Sequence, residues 1–108
     1  MHSLVHIREN SLFARIAAAR LRSRKVALVF GRTIHLWNTT REEFLKDHRW
    51  GNHELKHIQQ YQELGIVSFL LRYLWESLRR GYVNNRFEIE ARLAENDNSL
   101  RERYRFHF

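Results

Sequence analysis

A chain of 108 residues, with 44% apolar and 13% aromatic side chains, suffices for one cored domain and leaves no room for a second. It contains no cysteine, which excludes a disulfide scaffold, thiol catalysis and cysteine-ligated metal. Of the formal charge of +7, residues 1–37 hold seven basic groups (Arg8, Arg15, Arg20, Arg22, Arg24, Lys25, Arg32) against Glu9 alone, a net of +6; the rest has twelve basic and eleven acidic groups, a net of +1.

Asn10 or Ser11 suits the cap of a first helix, with Leu12, Phe13, Ile16, Ala17 and Leu21 spaced as one buried stripe. Lys25 to Phe30 and Thr33 to Trp37 read as strands. Gly31-Arg32 between them predicts a hairpin, with Val26, Leu28 and Phe30 on one face. Thr40 followed by Glu43 is a capping-box pattern that opens a short helix over residues 41–46. A longer helix over residues 48–63 is expected to stop at Gly65. Residues 66–80 form a third helical segment, with an apolar stripe of Ile66, Phe69, Leu70, Tyr73, Leu74 and Leu78, ending at Arg79-Arg80-Gly81. Asn84 or Asn85 caps a last helix through about Glu95. Residues 101–108 alternate polar and aromatic groups, which predicts an extended tail or edge strand. The expected fold class is α+β in a single domain, residues 1–108: an N-terminal helix, a β-hairpin, a motif helix and two further helices.

No secretory signal is visible at the N-terminus. The longest apolar run, Gly65 to Leu71, is far short of the ~20 residues of a membrane-spanning helix. A soluble, cytoplasmic protein is the expectation.

His53-Glu54-Leu55-Lys56-His57 is the stretch that carries chemistry. On a helix, residues four apart project from one face, so His53 and His57 offer two imidazoles to one ion, as HExxH chemistry requires. Glu54 lies about 100° round the helix from His53 and suits a water on the metal's open side better than the metal itself. The flanking Trp50, Leu55, Ile58, Tyr61 and Leu64 put the pair at the wall of a core, where unpaired polar groups are costly. A catalytic zinc site needs a third protein ligand and an open position. The only later histidine is His107, so a carboxylate is expected: Glu88, Glu90 or Glu95. Glu88 is also placed to close a capping box with Asn85.

HELKH, a helix, then an FExEA-like segment resembles the minimal core of the gluzincin branch of zinc metallopeptidases. In that branch a Glu on a later helix, in a Glu-x-x-Ala-Asp pattern, is the third ligand. Glu88-Ile89-Glu90-Ala91 matches its first four positions, which favours Glu88; Arg92 stands where the Asp would be. The support that this Asp gives a ligand histidine must then come from elsewhere, with Asp97 and Glu95 as candidates. More narrowly, Val26 to Ala91, about two thirds of the chain, resembles short bacterial proteins classed as metallopeptidases. Shared features are the VFGRTIHLWN hairpin, Trp50-x-x-His53-Glu54, His57-Ile58-x-Gln60 and Tyr82…Phe87-Glu88. The resemblance implies a zincin-like domain in which His53, His57 and Glu88 hold Zn²⁺ and Glu54 is the general base of peptide hydrolysis. Tyr82, Tyr61 and His48 are candidates for the oxyanion donor. The hairpin would supply an edge strand for the peptide or protein substrate.

Two other readings stand beside this one. The first is a metal-binding domain without catalysis. The second is a binder of nucleic acid or an anionic surface, through the N-terminal arginines and the Arg/aromatic tail; it is the less favoured. Self-association into a homo-oligomer is a further expectation, from apolar surface around Trp75, Phe69, Leu70 and Trp37.

Overall fold

The computed structural model describes residues 3–107. Along the chain run β1 (Ser3–Arg8), α1 (Leu12–Leu21), β2 (Val26–Phe30), β3 (Thr33–Trp37), α2 (Arg41–Lys46), α3 (His48–Leu64), α4 (Ile66–Asn84), α5 (Arg86–Leu93), a 3-10 turn (Ala94–Asn96), α6 (Ser99–Arg103) and β4 (Tyr104–His107). The class is mixed α+β: among the described residues, six α-helices and one four-stranded sheet in the order β2-β3-β1-β4. β2 and β3 form the expected antiparallel hairpin, Val26 opposite Trp37 and Phe30 opposite Thr33. Gly31 takes φ +63° in its turn, a conformation that favours glycine. β1 runs parallel to both β3 and β4.

Val5, Ile7, Val29, Ile34 and Leu36 of the sheet pack with Phe44, Leu55, Ile58, Tyr61, Phe69 and Phe87 of the helices in the main core. The other face of the hairpin meets α1 through a small cluster of Val26, Ala14 and Ala18. Strand period and helix period thus meet along two different seams.

Four expectations need correcting. β1 was not anticipated: its alternation is only Val5 and Ile7 buried, between exposed Leu4, His6 and Arg8, and parallel pairing has no turn to announce it. The α1 stripe is turned outward: Leu12, Phe13, Ile16 and Leu21 are exposed, and the small Ala14 and Ala18 are buried. Alanines let the helix sit close to the strands, and that close approach decides which face goes in. In α4 the buried side is narrower than expected; Phe69 is buried and Leu70 and Tyr73 partly so, but Leu74 and Leu78 face out. The helix after Asn85 ends at Leu93, two residues early, and α6 then claims residues 101–103 of the expected extended tail. The rest of that tail, from Tyr104, is the edge strand β4; Phe108 lies outside the described residues. The other boundaries agree closely, and Gly81, at φ +80°, breaks α4 just beyond Arg80, where glycine tolerates what other residues resist. No helix among the described residues is long and apolar enough to cross a membrane.

Candidate metal centre

Two buried asparagines set the frame of the site. The Asn85 side chain accepts from Phe87 N at 2.8 Å, capping α5, and donates to Tyr73 O at 3.0 Å and Ser77 Oγ at 2.9 Å. The start of α5 is therefore tied to α4. Asn52 donates to Glu95 O and to Asn98 Oδ1, both at 2.9 Å, which ties the 3-10 turn to α3. Each bond satisfies a polar group that burial would otherwise make costly.

Within that frame His53, His57 and Glu88 converge, one ligand atom from each lying within 4.8 Å of the others. Glu88 Oε1 is 3.1 Å from His53 Nε2 and 3.2 Å from His57 Nε2. Glu88 does not close a capping box; its carboxylate points into the protein, and Tyr73 OH donates to its other oxygen, Oε2, at 2.5 Å. The remaining imidazole nitrogens are also engaged. His53 Nδ1 donates to Glu95 Oε2 at 3.0 Å, and His57 Nδ1 donates to Gln60 Oε1 at 2.8 Å. The Gln60 amide is itself oriented, its nitrogen donating to Phe87 O at 3.1 Å and Glu90 Oε1 at 3.0 Å.

These outer bonds fix the tautomers. With Nδ1 protonated on both rings, each neutral imidazole aims the Nε2 lone pair at the same carboxylate oxygen. Two such lone pairs cannot both face one carboxylate oxygen from about 3 Å without positive charge between them. Protons on both Nε2 atoms would supply it, and so would one divalent cation held by the three residues. The donor set fits a cation well. Ligand distances of 2.0–2.2 Å in a tetrahedron put neighbouring ligand atoms about 3.3–3.6 Å apart, a little beyond the 3.1 and 3.2 Å between Glu88 Oε1 and the two Nε2 atoms. The outer carboxylate and amide are the partners that hold ligand histidines in register.

The proton balance follows the same geometry. Burial alone would lower the His53 pKa, but the bonds to Glu88 and Glu95 and the charge of Glu54 carry it up to about 9. His57 is raised in the same way, burial being outweighed by Glu88, Glu54 and Gln60. Burial works against the Glu88 anion, yet the two histidines and Tyr73 hold its carboxyl well below the ordinary range. Glu54 is buried next to the pair, and that burial pushes its carboxyl up to about 7, against the pull of His57 and His53. At neutral pH it is poised between acid and base.

A cleft of about 1040 Å³ opens over the site. β2 is an edge of the sheet, and its Val26 to Val29 form one wall; Phe69, Leu70 and Tyr73 of α4 contribute another, with His53, Glu54, His57 and Glu88 between. Tyr82 lines the cleft, and partial burial together with the Glu88 and Glu54 carboxylates pushes its phenol up to about 12, so that it is a donor at neutral pH.

Of the alternative ligands, Glu95 supports His53 from outside and also takes Arg49 Nη2 at 3.1 Å, while Glu90 accepts from Gln60. Asp97 is turned to Ser99, and Arg92 donates to Val83 O. Tyr61 spends its hydroxyl on Val29 O at 3.1 Å, and His48 is exposed and does not line the cleft. Tyr73 is the participant that sequence reading missed: its i, i+4 relation to Phe69 marks it as core, and nothing local announces that a carboxylate from α5 will meet its hydroxyl.

Comparison of the chain with protein-family models, with curated proteins and with solved structures finds no match in any of the three. The functional reading therefore rests on the residues of the site.

Proposed function

We propose that this chain is a minimal zincin-like domain that hydrolyses peptide bonds with zinc held by His53, His57 and Glu88. The observation that carries the reading is the convergence of both Nε2 atoms on one oxygen of Glu88, with both Nδ1 atoms held by outer acceptors. Zinc held by these three residues would supply Lewis acidity to a water and to a scissile carbonyl. Glu54, buried beside the histidine pair, takes the attacking water's proton and returns it to the leaving amine. Tyr82 donates a hydrogen bond to the developing oxyanion. The free edge of β2 receives the substrate main chain in extended form, and the apolar cleft walls accept its side chains.

Three protein ligands facing a cleft favour a catalytic site over a closed structural one. A fourth protein ligand would have to be a nearby carboxylate, and Glu95 is spent on His53 and Arg49. The test pairs zinc stoichiometry with cleavage of a mixed fluorogenic peptide library. Wild type should bind one zinc and turn over; Glu54→Gln should keep the zinc and lose turnover. Equal residual cleavage by both proteins would contradict the peptidase reading and leave a metal-binding domain.

A further inference from the structure

The two sides of α4 have different surroundings. Phe69 is buried and Tyr73 is bonded to Glu88, so one side belongs to the core and the site. On the other side Val67, Leu71, Leu74, Trp75 and Leu78 are all more than half exposed, Val67 at 71% and Leu78 at 83%. At 100° per residue these five fall within about a 100° arc, one continuous apolar stripe. Such a stripe on a soluble domain marks a contact surface.

Charge selects the occupant. Within α4 there are three arginines, Arg72, Arg79 and Arg80, against one glutamate, a net of +2. Glu76 is only 13% exposed, accepts from Arg86 N at 3.1 Å and lies 3.8 Å from Arg80, so it offers little negative charge outward. Arg72 and Arg79 are exposed and flank the stripe on its Trp75 side, with Arg79 over the Trp75 ring at 5.7 Å. A second copy on this face would bring like-charged arginines together, on a chain that already carries +7. An anionic lipid surface meets both halves of the pattern: acyl chains take the apolar stripe, and headgroups take the guanidinium groups beside it.

We propose that the outer face of α4 docks on anionic membrane surfaces, lying in the interface rather than crossing it. The helix, about 10 Å thick, would then lie between lipid headgroups and the cleft, with its Phe69, Leu70 and Tyr73 on the cleft side. This docking is independent of what the His53–His57–Glu88 group holds.

The test is co-sedimentation of the purified chain with vesicles of phosphatidylcholine alone and of equal parts phosphatidylcholine and phosphatidylglycerol, with sedimentation velocity of the free chain. Binding to the anionic vesicles should be at least about ten-fold tighter than to the neutral ones, in keeping with two arginines, Arg72 and Arg79, near the surface. Leu71→Glu with Leu78→Glu, both at exposed positions, should lose it by at least about ten-fold, and Arg72→Gln with Arg79→Gln should weaken it with the apolar stripe intact. Absence of binding to either vesicle would overturn the proposal. So would binding unchanged in both double variants, which would assign it to the N-terminal arginines. A free dimer that the Leu71→Glu/Leu78→Glu chain no longer forms would overturn it as well, by giving the stripe to a second copy.

Discussion

His35 and His57 are almost equally buried, at 8% and 6% exposure, on opposite sides of the same sheet, and they behave in opposite ways. His35 packs edge-on against Phe13 and pairs with the Ser11 hydroxyl at 2.8 Å; burial first, then Arg8, lowers its pKa. It is a neutral ring that completes the seam between α1 and the hairpin. His57 meets Glu88 and Gln60, lies close to the Glu54 charge and is raised. Burial alone therefore says little about a histidine. The carboxylates around His57 and their absence, among the described residues, around His35 set the opposite directions of the two rings.

The largest effect expected from this contrast is on metal uptake. His57→Ala should abolish stoichiometric zinc binding, a loss of more than about 100-fold in affinity, whereas His35→Ala should leave the stoichiometry at wild type by isothermal titration calorimetry. Next in size is turnover: Glu54→Gln should cut kcat by about 10²–10⁴-fold in the peptide assay with zinc retained. Tyr73→Phe and Gln60→Ala, which release the outer bonds of Glu88 and His57, should each weaken zinc binding by about 10–100-fold in competition with a chromophoric chelator.

Stability against pH sharpens the same comparison. His53 rises from 6.5 to about 9 on folding, so its contribution is fully present below pH 6.5 and is lost as pH rises through 9. Glu54 rises from 4.5 to about 7, so it too favours the folded state at low pH and loses that contribution through pH 7. Glu88 is lowered, and its contribution appears above its ordinary value of 4.5 and is lost toward stronger acid. The metal-free chain should therefore lose about 5 °C or more of Tm between pH 6.5 and 9, and zinc should protect more as pH rises, because it replaces protons on the Nε2 atoms. A metal-free Tm that is flat across that window would contradict the proton balance. The smallest effect belongs to the other face: Ser11→Ala, which removes the cap of α1 and the partner of His35, should cost about 1 kcal/mol in urea unfolding and leave zinc binding unchanged.

Legibility from sequence followed the range of the interactions. The hairpin, α2 and α3 are governed by neighbours in the chain, by Gly31, Thr40 and the 3.6-residue spacing, and their limits could be read within a residue or two. The histidine pair was legible for the same reason, since the helical repeat alone puts His53 and His57 together. Glu88 was one of three carboxylates that the residues left open, a resemblance favoured it, and the Asn85 anchoring of α5 to α4 sets the helix that turns it inward. β1, the inversion of α1 and the role of Tyr73 depend on partners far along the chain. β1 pairs with residues 33–35 and 104–107, and Ala14 and Ala18 are buried because the sheet lies close to them. No local pattern encodes those distances.

The most direct measurement is an anomalous difference map at the zinc edge from crystals of the zinc-loaded chain. It should hold a single peak about 2.0–2.2 Å from His53 Nε2, His57 Nε2 and Glu88 Oε1 together. A map without a peak there, or with zinc bound only at other residues, would contradict the assignment of these three side chains as a metal centre.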